Sequence, residues 1–151
     1  MMSKGLITLL GLAFAVVGLV GFFAPGFMGA HLSVAHNLIH LASACAALSF
    51  GLWGSVRTAK MFALTFGIVY LFLGIAGITA PPGIDSMGMF GYDEHLLVVM
   101  PTALELGTND ALLHMAVGAM FLLAFILPQE IVSKFKIKQE MPEEKTMPTF
   151  K

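Results

Sequence analysis

Two pairs of polar residues, each at the start of an apolar segment, are the residues of this chain best suited to chemistry. The first pair is His36 and His40, and the second is Asp110 and His114. Residues four positions apart lie on one face of an α-helix, about one turn apart. If the two faces meet, they present three imidazoles and one carboxylate, a ligand set that suits zinc, copper or iron. The first hypothesis is therefore a metal site with all four residues as ligands.

The segment before the second pair contains weaker ligand candidates. Met87, Met89 and His95 lie close together in it. Thioether sulfur is a soft ligand, so the methionines extend the metal hypothesis to copper(I). Helical spacing does not constrain these three residues, and we expect them only as additional ligands above the four helical positions.

His40 and His114 also fit a tetrapyrrole. Each is followed four residues later by a small residue, Ala44 or Gly118, which leaves space for a flat ring. Histidines on two helices can hold haem b as axial ligands, and one histidine can bind the magnesium of a chlorophyll. The same histidines can instead be structural and hydrogen-bond to a neighbouring helix or to interfacial water. The sequence leaves all three interpretations open.

The composition places the helices that carry these residues in lipid. Hydrophobic residues make up 58% of the 151 residues and charged residues 11%, and the mean hydropathy is +0.88. A soluble domain has about 25% charged residues. Helices of about twenty apolar residues cross about 30 Å of hydrocarbon. The sequence predicts four such spans, at 5–23, 38–55, 61–79 and 111–127.

The chain also contains an internal duplication. Residues 4–25 match residues 60–81 at a constant offset of 56, which aligns three glycines of each copy: Gly11, Gly18 and Gly21 with Gly67, Gly74 and Gly77. The second span of each copy matches at an offset of 74, which aligns His40 with His114 and His36 with Asp110. Two copies with two spans each enter the membrane in the same direction, so a pseudo-twofold axis along the membrane normal should relate them. We predict an all-α integral membrane protein, with repeat one at 4–55 and repeat two at 60–127.

Charge predicts the orientation, because all eight basic residues fall on one side of this arrangement: Lys4, Arg57, Lys60, Lys134, Lys136, Lys138, Lys145 and Lys151. That side is cytoplasmic by the positive-inside rule. Both termini should then be cytoplasmic, with the loop 82–109 outside. We expect a transmembrane domain at 1–128 and a charged cytoplasmic tail at 129–151, in a bacterial inner (plasma) membrane or an internal membrane derived from it.

Other kinds of chemistry have little support in the sequence. There is no Gly-x-Ser-x-Gly, no phosphate-binding loop and no Cys-x-x-Cys, since Cys45 is the single cysteine. The lack of a basic patch argues against nucleic-acid binding.

We therefore expect a non-catalytic accessory or scaffold subunit of a larger membrane complex, in contact with lipid and with other subunits or further copies of itself. The alternative is a metal-binding or tetrapyrrole-binding membrane protein that uses the His/Asp site.

Short motifs in three of the spans resemble a known family. Asn37-x-x-His40-Leu41 opens the second span, Gly67-x-x-Tyr70 lies in the third, and Asp110 with His114 opens the fourth. This pattern is similar to that of small four-helix bacterial membrane proteins catalogued only as a domain of unknown function. The resemblance covers about residues 4–128. It implies the four-span fold but no activity, and it does not extend to the Met-containing loop.

Overall fold

The structure, a computed structural model, describes residues 2–86 and 88–128. Its main elements are four α-helices: α1 (Met2–Val20), α2 (Val34–Leu52), α3 (Val56–Ile78) and α4 (Thr108–Ile126). Each is long and apolar enough to cross a membrane, which confirms the prediction of a mostly helical protein with four candidate spans. Met87 and the predicted tail at 129–151 lie outside the described residues.

All four helices start earlier than the apolar segments predict, by three, four, five and three residues for α1, α2, α3 and α4. Ser33 caps α2 by accepting a hydrogen bond from the His36 amide at 3.1 Å. Ser55 caps α3 in the same way, accepting from the Thr58 amide at 3.1 Å. Such caps extend a helix through a polar first turn that hydropathy does not detect. As a result, His36 and Asp110 both lie within the first turn of a helix.

The bundle is made of two helix hairpins, because α1 packs closely along α2 and α3 packs closely along α4. Glycines permit the close approach. A Cβ added to Gly11 would lie 3.0 Å from Leu48 Cγ, and one added to Gly67 would lie 2.8 Å from Leu122 Cγ. Small residues at such positions let membrane helices approach to backbone contact. By contrast, α2 and α3 contact each other only sparsely.

Corresponding glycines of the two hairpins contact corresponding residues. The glycines of α1 and α3 correspond at the offset of 56, and the residues that they contact in α2 and α4 correspond at the offset of 74. Gly18 faces Leu41 and the Asn37 carbonyl, and its counterpart Gly74 faces Met115 and the Ala111 carbonyl. Adding 56 to the glycine number and 74 to the number of its contact residue converts the first set of contacts into the second. The same holds for Gly11 with Leu48 and Gly67 with Leu122, and for Gly21 with Asn37 and Gly77 with Ala111.

Aromatic side chains fill the space between the hairpins. Phe14 on α1 lies 5.1 Å from Tyr70 on α3 and 6.1 Å from Phe121 on α4, measured between ring centroids. Phe121 is fully buried. These rings form the interior of the bundle directly beneath the histidines.

The connection between α3 and α4 contains two small antiparallel hairpins that the sequence analysis did not predict. Strand β1 (Gly83–Ile84) pairs with β2 (Tyr92–Asp93), and β3 (Leu97–Met100) pairs with β4 (Leu104–Leu106). With two to four residues each, these strands are too short for alternation to be visible in the sequence. Together they fold the predicted outer loop over one end of the bundle.

Two buried carboxylates, those of Asp85 and Glu105, organise this segment between α3 and α4. Asp85 accepts hydrogen bonds from the amides of Met89, Phe90 and Gly91. Burial acts to raise the pKa of Asp85, but these three amides outweigh it and lower the pKa below its ordinary value. Asp85 is therefore ionised at neutral pH and bound to the backbone of its own segment.

Candidate metal centre

His36, His40 and His114 come together at the end of the bundle where α2 and α4 begin. One ring nitrogen of each lies within 4.8 Å of those of the other two. All three side chains are buried, with exposed fractions of 2%, 7% and 5%. Ring centroids are 4.5 Å apart for His36 and His40 and 6.3 Å apart for His40 and His114. The geometry agrees with the expectation that the two helical faces meet.

The aromatic interior supports these rings from below. Phe14 lies 5.4 Å from His40, and Tyr70 lies edge-on to His114 at 5.2 Å. The Tyr70 hydroxyl is itself held by a 3.0 Å hydrogen bond with Ser43 Oγ. These contacts restrict the rotation of the two rings, so the cluster is preorganised by packing as well as by helix position.

His36 has a backbone partner that favours one tautomer. Its Nδ1 lies 2.9 Å from the carbonyl oxygen of His31. A carbonyl can only accept, so Nδ1 carries the proton and Nε2 keeps a lone pair for a ligand. Metal-binding histidines in proteins usually have this kind of second hydrogen bond, which fixes the ring orientation.

Asp110 lies beside the three imidazoles and outside the group of mutually close ligand atoms. Its Oδ2 accepts hydrogen bonds from the amides of His31 and Gly107, both at 2.9 Å. Its Oδ1 lies 3.9 Å from His36 Nδ1. The carboxylate, which the sequence analysis treats as a fourth ligand, is thus positioned to balance charge and to hold His31, whose carbonyl oxygen orients His36.

Two ring nitrogens of the cluster are unsatisfied. His40 Nδ1 and His114 Nδ1 are buried and have no hydrogen-bond partner within residues 2–86 and 88–128. Leaving a buried polar atom without a partner costs about 1–3 kcal/mol. The two rings also line cavities of about 40 and 80 Å³ on either side of the cluster. The smaller cavity has room for a metal ion or a water molecule.

A bound metal would require the rings to move only slightly. At Zn–N distances of about 2.0–2.1 Å, the nitrogens of a tetrahedral site are about 3.4 Å apart. The nitrogens here lie within 4.8 Å of one another. Small side-chain rotations therefore convert the cluster into a coordination site.

The loop candidates lie elsewhere. The Nδ1 of His95 is 3.0 Å from the Ala80 carbonyl oxygen, and the Met89 side chain is 58% exposed. Neither residue lines the two cavities beside the histidines. Met87 falls outside the described part of the chain. The described loop residues thus add no ligand to the three helical histidines.

His31 belongs to the surroundings of the site, although sequence reasoning did not single it out. Its backbone amide donates a hydrogen bond to Asp110 Oδ2, and its carbonyl oxygen accepts one from His36 Nδ1. Its buried ring stacks on Phe90 at 4.4 Å, and its Nε2 lies 3.6 Å from Asp93 Oδ2. A loop residue has no helical period, so sequence spacing could not have indicated this role.

A tetrapyrrole fits this geometry less well than an ion. His36 stacks on His40 with a centroid distance of 4.5 Å and lies tilted to His114 at 5.7 Å. It therefore occupies the space next to the proposed axial ligands, His40 and His114. The two adjoining cavities are about 40 and 80 Å³, whereas pockets for drug-sized ligands measure about 300–1,000 Å³. A macrocycle would require the helices to separate.

No family model, no curated protein and no solved structure matches this chain. The assignment of function therefore depends on the geometry of the site.

Proposed function

We propose that this protein binds one first-row transition-metal ion, zinc, copper or iron, through His36, His40 and His114. The observation that carries the proposal is the group of three buried imidazoles whose nitrogens lie within 4.8 Å of one another, two of them with an unpartnered Nδ1. Imidazole is a common ligand for all three metals. A metal ion would compensate for the hydrogen bonds that these buried rings lack.

Charge balance supports the same assignment. Three neutral histidines leave the full charge of the ion uncompensated, and a buried charge without a counter-charge is unfavourable. The Asp110 carboxylate is 2% exposed, and its Oδ1 is 3.9 Å from the His36 ring. Asp110 therefore acts as the counter-charge and as the acceptor that holds the His31 amide, while the His31 carbonyl orients His36; it is not a direct ligand.

Three protein ligands leave a fourth tetrahedral position open, as in metal centres that exchange a ligand. The adjoining cavities of about 40 and 80 Å³ admit water or a small anion. The site therefore suits metal handling, sensing or redox chemistry at the outer face of the membrane.

The proposal includes the architecture predicted from the sequence. The chain is a tandem duplication of a two-helix unit with a pseudo-twofold axis along the membrane normal, and the matching glycine contacts of the two hairpins support this. Both termini are cytoplasmic and the membrane is a bacterial inner membrane. The chain is a member of the four-helix family of unknown function that its motifs resemble.

The test is to purify the protein gently from its membrane, record an absorption spectrum and measure its metal content by elemental analysis. We expect about one transition-metal ion per chain. His36→Ala, His40→Ala and His114→Ala should each lose most of it. His95→Ala is the matched control, because this histidine lies in the outer segment and its ring bonds to Ala80 O; it should keep the metal.

A protein that stays free of metal after native purification and after incubation with Zn²⁺ or Cu²⁺ would overturn the proposal. So would equal metal loss in His95→Ala and in the three triad variants. A Soret or chlorophyll absorption band would replace the ion by a tetrapyrrole.

A second candidate function is that of an accessory subunit in a membrane complex. The specific observation is an exposed apolar surface on β3, outside the spans, where Val98, Val99 and Met100 are 46%, 50% and 58% exposed. Contiguous exposed apolar residues commonly mark a protein contact. Val99→Glu should then abolish co-purification of the partner subunit while leaving the metal content unchanged.

A further inference from the structure

An open crevice runs between α2 and α3, which contact each other only sparsely. It contains three cavities in series: about 380 Å³ at the start of α3, about 180 Å³ halfway along, and about 40 Å³ beside the histidines. Neighbouring cavities share walls. Thr65 and Phe66 line the first two, and Ile39, Tyr70 and Leu73 line the second and third.

The wide end of the crevice combines an aromatic floor with one cation. Phe62 stacks on Phe50 at 4.8 Å and lies 4.1 Å from Phe66. Arg57 lines the same cavity from the first turn of α3. Its guanidinium is exposed and makes no ion pair or hydrogen bond with another residue that the structure describes. The crevice thus offers an apolar channel that ends at an unpaired positive charge.

We propose that this crevice binds one anionic phospholipid, with its phosphate on Arg57 and an acyl chain on the aromatic floor. Arginine binds phosphate through two parallel hydrogen bonds. Thr65, which lines both the first and the middle cavity, is eight residues beyond Arg57 on the same helix, a distance of about 12 Å. One leaflet is about 15 Å deep, so an acyl chain from Arg57 reaches the middle cavity.

The lining chemistry favours an anionic lipid over other occupants. No Asp or Glu is among the described residues that line the three cavities, so the ammonium of a zwitterionic headgroup finds no carboxylate there. The histidine end, at about 40 Å³, is too small for the headgroup of a quinone. The lipid site is independent of the metal site, and either can fail without the other.

The experiment is native mass spectrometry of the full chain in detergent, delipidated and then titrated with phosphatidylglycerol or with phosphatidylcholine of the same acyl chains. Arg57→Gln removes the phosphate contact, and its control is Lys60→Gln, a nearby cation that does not line the crevice. Thr65→Phe fills the crevice, and its control is Ile68→Phe, an exposed position outside it. Circular dichroism and gel filtration verify the fold of each variant.

We expect one phosphatidylglycerol per chain, bound about tenfold more tightly than phosphatidylcholine, with about tenfold weaker binding in Arg57→Gln and unchanged binding in Lys60→Gln. Thr65→Phe should lose the lipid and Ile68→Phe should keep it. Equal binding of the two lipids, or equal losses in Arg57→Gln and Lys60→Gln, would identify an annular lipid only and overturn the proposal. Arg57 is exposed, so its variant decides the question even if Thr65→Phe does not fold.

Discussion

Asp110 connects three parts of the molecule through one carboxylate. Its Oδ2 binds the amides of His31, before α2, and Gly107, before α4. Its Oδ1 faces the His36 ring at 3.9 Å. The starts of two helices and one imidazole are therefore fixed relative to one another by a single side chain, which makes Asp110 the best residue for testing the surroundings of the site.

We expect Asp110→Asn to weaken metal binding by about 10–100-fold, the usual effect of losing a group that orients a ligand. The amide keeps the volume and one acceptor oxygen but removes the counter-charge. Competition with a chromophoric chelator measures the affinity. The control is Asp85→Asn, a buried outer carboxylate bound to its own loop backbone. Equal losses in the two variants would contradict the role assigned to Asp110.

The candidate site was only partly predictable from its residues. His36, His40 and His114 could be found because helical spacing and the internal repeat placed them on facing surfaces. Asp110 was found by the same reasoning, but its backbone hydrogen bonds decide that it stands beside the cluster. His31 could not be found, because its contribution comes from backbone atoms in a loop.

At the scale of elements, the two hairpins depend on glycines that meet a neighbouring backbone. A Cβ on Gly74 would lie 2.7 Å from both the Ala111 carbonyl oxygen and the Met115 amide nitrogen. Backbone atoms cannot move aside as a flexible side chain can. The contact between α3 and α4 should therefore tolerate no larger residue there.

We expect Gly74→Ala to destabilise the protein by about 1–3 kcal/mol, the typical cost of overpacking. Thermal unfolding in detergent measures the change. Gly5→Ala is the control, since a Cβ there meets nothing within 4 Å. Unfolding temperatures that rise equally in the two variants would show that the higher helix propensity of alanine, and not the contact between α3 and α4, is what matters.

The segment between α3 and α4 depends on buried carboxylates as well as on the buried side chains of Leu96 and Leu106. Glu105 is 1% exposed and accepts hydrogen bonds from the amides of Ser86 at 2.7 Å and Thr102 at 2.9 Å. Burial acts to raise the pKa of Glu105, but these hydrogen-bond partners outweigh it and lower the pKa below its ordinary value. A lowered pKa in the folded state contributes stability above the unfolded pKa, and that contribution is lost as the pH falls through the folded pKa.

Glu105→Gln should therefore lower the free energy of unfolding by about 1–3 kcal/mol at neutral pH. The difference from the parent protein should shrink below about pH 4, where the parent carboxyl also becomes protonated. Chemical denaturation at several pH values measures both effects. Glu94→Gln, at an exposed position, should change stability little. A pH-independent difference would mean that lost packing, and not lost charge, explains the effect.

Helices and strands differ in how far the sequence predicts them. The four spans could be predicted because lipid requires long apolar helices, and only their capped first turns were missed. The strands β1 to β4 could not be predicted from local sequence. Each has only two to four residues, and its position depends on contacts with Asp85, Glu105 and the ends of the helices.

At the scale of the whole molecule, the distribution of charge predicts how the bundle crosses the membrane. In the predicted four-span arrangement, all eight Lys and Arg residues fall on one side and the loop 82–109 on the other. Reporter fusions after Ser86 and Lys145 should therefore report opposite sides, with Lys145 cytoplasmic. Finding both on one side would contradict the four-span topology, and fusions with the histidines replaced by alanine control for effects of the site.

The sequence by itself determined the four apolar helices that could span a membrane and which of their histidines share a face, because lipid restricts the backbone to helices and helical spacing determines which residues share a face. The tertiary structure alone decided that three imidazoles meet while Asp110 turns its carboxylate to backbone amides. It also decided that α2 and α3 leave a crevice between them. Distances between side chains on different helices depend on how closely the helices pack, and local sequence does not specify that packing.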